Sequence, residues 1–293
     1  MSGQQPECIW PVGAELGEGV LWHAPTRSIY FVDIKGHRLH RCDENGARRH
    51  SWNAPGQIGF VVPAHDGGFV CGLEDGLYRF DEASGTFAKL GEVEPDIPGN
   101  RLNDGFVDQA GRLWFGTMDN GQAKPTGSLY RFDERGVSRA DSGYIITNGP
   151  AVSPDGRTLY HVDTLGLQVF AFDLLPDGSV ANKRLFTRIA RPGHPDGLAV
   201  DSAGHVWITV FRGARIERYT PGGQLVGSVT FPVTNITKLA FGGDDLRTAY
   251  VTTAWKGLAP DERASQPLAG GLFMFRTDTP GQPQYQFAGG TLP

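Results

Sequence analysis

The sequence predicts an all-β chain folded as a six-bladed β-propeller with four antiparallel strands per blade. Three observations predict it. A unit of about 40–50 residues recurs six times. Each copy carries short strand-like runs separated by turn chemistry, and no long helical pattern competes with them.

The first run of each unit reads Glu18-Gly-Val-Leu-Trp, Ile58-Gly-Phe-Val-Val, Asp104-Gly-Phe-Val-Asp, Asn148-Gly-Pro-Ala-Val, Asp196-Gly-Leu-Ala-Val and Lys238-Leu-Ala-Phe-Gly. Their first residues lie 40, 46, 44, 48 and 42 positions apart. Turn formers such as Gln109-Ala-Gly and Pro154-Asp-Gly follow each run. A second run is rich in β-branched and aromatic residues, as in Ile29-Tyr-Phe-Val, Leu113-Trp-Phe-Gly and Val206-Trp-Ile-Thr. The third alternates apolar and polar residues with period two, as in Leu77-Tyr-Arg-Phe and Leu129-Tyr-Arg-Phe, and a weaker fourth strand fits the remainder. Six such sheets closed in a ring leave few exposed sheet edges. The ring needs a clasp, and Glu7-Cys-Ile-Trp-Pro-Val is expected to supply the outer strand of the last blade. No linker breaks the period, so residues 1–293 are expected to form one domain; a long β-sandwich or a two-domain β protein would lack the sixfold register.

Composition agrees and narrows the partners. The 41 glycines and 20 prolines have no G-x-y period and accompany 39% hydrophobic residues, which points to many turns rather than to collagen or disorder. The net charge of −5 comes without a basic stripe, so nucleic acid is not expected as a partner. No stretch is long and apolar enough to span a bilayer, and the start lacks a basic and an apolar leader region. A cytoplasmic protein, monomeric or a weak homodimer, without membrane attachment is expected. Cys8, Cys42 and Cys71 are scattered, lack C-x-x-C spacing and read as reduced packing residues.

In a propeller the first strand of each blade lines the central channel, so the starts of all six runs meet at one mouth. That position reads Glu18, Ile58, Asp104, Asn148, Asp196 and Lys238. Asp-Gly and Asn-Gly pairs taken singly are common turn formers. Three acidic or amide residues in matching register at an axis are harder to explain as independent turns, because crowded carboxylates demand a counter-ion. Glu18 and Asn148 fall in opposite blades and can share a partner only near the axis. Two carboxylates and an amide carbonyl suit a hard cation such as Ca²⁺, Mg²⁺ or Mn²⁺, with Zn²⁺ or Fe²⁺ less well matched. Connections between second and third strands share this mouth, and two are long: Thr117 to Gly127 and Ala254 to Gly270. Arg101 and Asn103 precede the rim residue of blade three, where a guanidinium fork is expected to meet substrate oxygens rather than pair with an acid such as Asp96. Lys238 is expected either to touch substrate or to neutralise the carboxylate cluster. His194 stands beside Asp196 and could face the pocket. No G-x-S-x-G elbow, P-loop or dinucleotide fingerprint occurs.

Leu16-Gly-Glu-Gly, Arg101-Leu-Asn-Asp-Gly, Gly116-Thr-Met, Thr147-Asn-Gly, Ser153-Pro-Asp-Gly, Pro195-Asp-Gly and Phe241-Gly-Gly together resemble the senescence-marker-protein/gluconolactonase family, in the same order from about residue 8 to 289. The resemblance implies a six-bladed propeller hydrolysing sugar lactones with one divalent cation, whose ligands would be Glu18, Asn148 and Asp196. It implies Arg101 and Asn103 as the substrate-contacting pair and Asp104 as support behind the ligands. Asp119, in Met118-Asp-Asn-Gly-Gln, is the candidate for an acidic residue that reads substrate hydroxyls in some relatives. Thr237-Lys-Leu and Ala254-Trp-Lys resemble the bacterial aldonolactonase branch, with Trp255 a candidate sugar-stacking face. The expected reaction is hydrolysis of a five- or six-membered aldonolactone in bacterial sugar oxidation, with Asp196 both ligand and general base through its second oxygen. A calcium-binding regulatory propeller, and an arylesterase or organophosphate hydrolase on the same scaffold, are the alternatives.

Overall fold

A computed structural model describes residues 5–290. After an N-terminal strand β1 (Glu7–Trp10), blade one comprises β2 (Gly17–His23), β3 (Ser28–Asp33), β4 (Arg38–Asp43) and β5 (His50–Asn53). Blade two follows with β6 (Ile58–Pro63), β7 (Phe69–Leu73), β8 (Gly76–Asp81) and β9 (Thr86–Glu92). Blade three is β10 (Asn100–Val107), β11 (Leu113–Asp119), β12 (Gly127–Asp133) and β13 (Gly136–Tyr144). Blade four is β14 (Thr147–Val152), β15 (Thr158–Asp163), β16 (Gln168–Leu174) and β17 (Val180–Arg188). Blade five is β18 (His194–Val200), β19 (Val206–Phe211), β20 (Arg215–Tyr219) and β21 (Leu225–Thr230). Blade six holds β22 (Asn235–Gly242), β23 (Thr248–Ala254) and β24 (Leu272–Arg276), with one short helix, α1 (Pro260–Ser265), between the last two.

Every sheet is a four-stranded antiparallel meander, and the sixth is completed by β1, which pairs Glu7 with Met274 and Cys8 with Phe273. The expected six-bladed propeller closed by the N-terminal segment is therefore the observed fold. Its core lies between blades, where Phe60, Phe115, Trp114, Trp207, Tyr30 and Tyr250 are fully buried. The repeat extends to side chains. Asp108 accepts from Ala110 N, Arg112 N and Trp114 Nε1 at 2.9, 3.1 and 2.8 Å, and Asp201 accepts from Ala203 N, His205 N and Trp207 Nε1 at 3.0, 2.9 and 3.0 Å. One carboxylate thus ties the turn to the second strand in both blades.

The two mouths of the channel differ. At the far end of the inner strands the C-terminal segment enters: Gln282 Nε2 donates to Val152 O and Val200 O at 2.9 and 3.2 Å. Phe287 packs on Phe132 and exchanges backbone bonds with Pro63 and His65. At the near end every inner strand breaks register against its neighbour, between Glu18 and Leu21, Ile58 and Phe60, Leu102 and Gly105, Asn148 and Ala151, Pro195 and Leu198, and Ile236 and Lys238. Such breaks re-aim side chains out of the ladder. Gly19 and Gly149 make them at φ of +55° and +35°, and a Cβ on Gly149 would stand 2.5 Å from Leu198 N. Only glycine fits there.

Candidate active site

At the near mouth Glu18, Asn148 and Asp196 line one cavity of ≈ 330 Å³ together with Arg101 and Asn103. That volume falls in the small-molecule range. The walls come largely from the ends of second strands and the turns that follow them: Met118 and Gln122 in blade three, Thr164 and Leu165 in blade four, Arg212 in blade five, Lys256 and Gly257 in blade six.

Glu18 and Asp196 are each only 6% exposed, yet they are almost without partners. Glu18 accepts one long bond of 3.3 Å from its neighbour Gly19 N. Among the described residues nothing donates to either oxygen of Asp196. Burial, with the Asp196 and Asp104 carboxylates nearby, pushes the Glu18 carboxyl well above the usual range. Burial and Asp104 push Asp196 the same way. Two desolvated like charges with a single long hydrogen bond call for a positive partner between them.

Asn148 is held at both ends. Its Nδ2 donates to Thr164 Oγ1 at 2.9 Å, and its Oδ1 accepts from Asn103 Nδ2 at 2.9 Å, which leaves that oxygen one lone pair for a further ligand. Asn103 also donates to Thr147 O at 2.6 Å, and its Oδ1 accepts from Arg101 Nη1 at 2.7 Å. Its hydrogen bonds hold Arg101 and Asn148 in place. Arg101 further spends Nη1 on Leu102 O at 2.9 Å and Nε on Asn120 Oδ1 at 3.2 Å, while Nη2 has no protein partner among the described residues. Burial lowers this guanidinium to about 10, so it stays charged at neutral pH.

The chemistry of the set fits a cation. Among the described residues no three His, Cys, Asp or Glu side chains converge as a metal cluster. Glu18, Asp196 and the Asn148 carbonyl form an all-oxygen set that leaves room for further ligands, as a hard divalent ion prefers. His194 also lines the cavity, with a buried Nδ1 that has no hydrogen-bond partner among the described residues.

Three expected contacts are placed elsewhere. Lys238 Nζ is bound to both oxygens of Asp104 at 2.7 and 2.6 Å, so it is a counter-ion and not a wall of this cavity. Asp104 also accepts from Gly149 N at 2.8 Å, fixing the backbone behind Asn148. Asp119 caps its own loop by accepting from Ala123 N and Lys124 N at 2.8 and 2.9 Å and does not line this cavity. Trp255 gives its ring to Arg263 at 3.7 Å and its Nε1 to Gly13 O at 3.0 Å, instead of presenting a sugar-stacking face.

Thr164 and Arg212 line the cavity and were not singled out from sequence, and Lys256, which lines it too, entered only as the last residue of Ala254-Trp-Lys. Each follows a second strand by one or two residues, so the turn register that located the long loops also locates them.

A family model described as the SMP-30/Gluconolactonase/LRE-like region matches residues 16–255, and the chain belongs to that family. It is 34% identical to a 6-deoxy-6-sulfogluconolactonase of Pseudomonas putida, over 97% of this chain and 98% of the relative. It is 38% identical to an L-arabinolactonase of Azospirillum brasilense, over 94% and 92% of the two chains. The crystal structure of a calcium-binding protein, regucalcin, from Agrobacterium tumefaciens superposes with a TM-score of 0.92 at 26% identity, covering 96% of both chains.

Proposed function

We propose that this protein hydrolyses a sugar lactone, an aldono-1,4- or 1,5-lactone, to the open aldonic acid, using one divalent cation held by Glu18, Asn148 and Asp196. The observation that carries this reading is the pair of buried carboxylates with only one long hydrogen bond, from Gly19 N to Glu18, on a cavity that also presents the free Nη2 of Arg101. Two of the relatives are named as sugar lactonases and the superposed structure as a calcium-binding protein, which supports both halves.

A bound divalent cation supplies Lewis-acid polarisation of a carbonyl and a lowered pKa for nearby water. The chain's own residues do the rest. Arg101 Nη2 donates to lactone oxygens and orients the ring, with its charge assured at neutral pH. Asp196 uses its outer oxygen to take a proton as water adds to the carbonyl carbon, and returns it to the ring oxygen as the C–O bond breaks. Asn103 and Thr164 fix the Asn148 amide, its oxygen accepting from Asn103 and its nitrogen donating to Thr164, which leaves one lone pair of that oxygen for the cation.

A calcium-holding protein without turnover would need the same carboxylates but no ≈ 330 Å³ of adjoining space. A pH-indicator assay over a panel of aldono-1,4- and 1,5-lactones tests the choice. Turnover above the uncatalysed rate is expected, lost on chelation and restored by Ca²⁺, Mg²⁺, Mn²⁺, Zn²⁺ or Fe²⁺. Tight Ca²⁺ binding with no lactone turned over would overturn it in favour of the regulator.

A further inference from the structure

The basic residues around the cavity are not all matched by acids. Its walls carry Arg101, Arg212 and Lys256 against the carboxylates of Glu18 and Asp196, and those two are the ones placed to hold the cation. Arg212 is engaged with Glu262, at 3.4 Å, and with Gly257 O. Arg101 makes its three hydrogen bonds within its own blade. Lys256 differs from both. Among the described residues its ammonium has no hydrogen-bond acceptor and no ion-pair partner. It is half-buried, and the charges acting on it include Lys35 and Arg101, which oppose it, as well as Glu15 and Asp196, which draw on it without reaching it. Its backbone is nevertheless fixed at both ends, N to Glu15 O at 2.9 Å and O from Asn235 Nδ2 at 3.0 Å. An ammonium held on a cavity wall, partly stripped of water and beside other cations, is stabilised only when an anion joins it.

We propose that the substrate is an acidic lactone, one whose carbon chain carries a second anionic group, and that Lys256 selects it by neutralising that group. This rests on the lactonase reading above and deepens it. A carboxylate, a sulfonate and a phosphate ester share the required chemistry, each offering anionic oxygens to one ammonium. Charge is read by Lys256 at the blade-six wall, while the carboxylates of blades one and five serve the reacting carbonyl.

The test compares a neutral aldono-1,5-lactone with its 6-carboxylate, 6-sulfonate and 6-phosphate counterparts on the metal-restored enzyme. At least one acidic lactone is expected to exceed the neutral one in kcat/KM by about 10- to 100-fold, the worth of one charge-assisted hydrogen bond. The advantage should lie in KM and shrink with added salt. K256M should bring the acid-to-neutral ratio to within roughly threefold of one, and K256R should keep most of it. Calorimetric titration with the corresponding lactams reads the same preference without turnover. Equal binding of neutral and anionic lactams, or a K256M variant that keeps the full ratio, overturns the role of Lys256. Retained preference for anionic lactams without hydrolysis of any lactone overturns the lactonase reading and leaves the anion site standing.

Discussion

Two pairs of charged side chains share the central channel and are almost equally buried. Asp104 and Lys238 are 2% and 6% exposed, and Glu18 and Asp196 are 6% exposed each. The first pair closes on itself: opposite charges, two short contacts, and a backbone N–H on the remaining lone pairs. The second is left open, with like charges and a single long bond, donated by Gly19 N to Glu18. Burial alone therefore does not mark a functional residue. What distinguishes the site is burial without satisfaction, an electrostatic cost that persists only where a ligand or reaction offsets it.

The largest effect should come from breaking the open pair. Asp196→Asn keeps the volume and removes the proton acceptor, so kcat should fall by roughly 10³-fold or more with the strand spectrum and melting temperature nearly unchanged. Wild-type turnover in this variant would remove Asp196 as the base. Glu18→Gln should mainly weaken cation retention, by about 10- to 100-fold in a competition titration, with kcat recovering at saturating metal.

The closed pair predicts the opposite pattern. Lys238→Met strands the Asp104 carboxylate in the channel and should cost about 3–5 kcal/mol in urea unfolding. Adding Asp104→Leu removes the stranded charge and should recover most of that loss. A single variant as stable as wild type, or a double variant no better than the single, would show that the pair is not the counter-charged structural unit described here.

The fold was legible because a period near 44 residues leaves a mark in every copy, and the register of the inner strands placed Glu18, Asn148 and Asp196 together without any contact being known. Asp119 and Trp255 were misplaced for a shared reason. Each lies at the start of a long loop, and a loop's own backbone or a neighbour such as Arg263 can claim a polar or aromatic side chain ahead of the substrate. Lys238 shows the remaining ambiguity: sequence put an ammonium at the rim, but its choice between substrate and Asp104 depends on side-chain direction, which period and spacing do not encode.

The two pairs should also separate under pH. In the metal-free protein, burial and nearby carboxylates, Asp104 for both and Asp196 for Glu18, hold Glu18 and Asp196 above the range they have in the unfolded chain. The folded state then binds more protons than the unfolded one once pH passes the ordinary carboxylate range, so stability falls as pH rises through that window. The slope should approach about 1.4 kcal/mol per pH unit for one retained proton. Melting curves of chelated protein between pH 5 and 8 should show this decline, and saturating cation or Glu18→Gln should flatten it. A chelated wild type whose melting temperature is level over that range would mean the carboxylates are already compensated.

The smallest effect tests how the open pair is held. Asn103 touches both Arg101 and Asn148, so Asn103→Ala frees the Asn148 amide to turn its nitrogen toward the carboxylates. Cation affinity should drop about tenfold, in the manner of residues that orient a ligand from behind, and the Arg101 fork should loosen so that KM rises while kcat at saturating metal changes less. Thr164→Val removes the acceptor at the other end of the same amide and should reproduce the loss of cation affinity without the rise in KM. If the two variants instead shift KM alike, Asn148 is not oriented by the Asn103 and Thr164 bonds, and the open pair would have to hold its cation without a fixed amide.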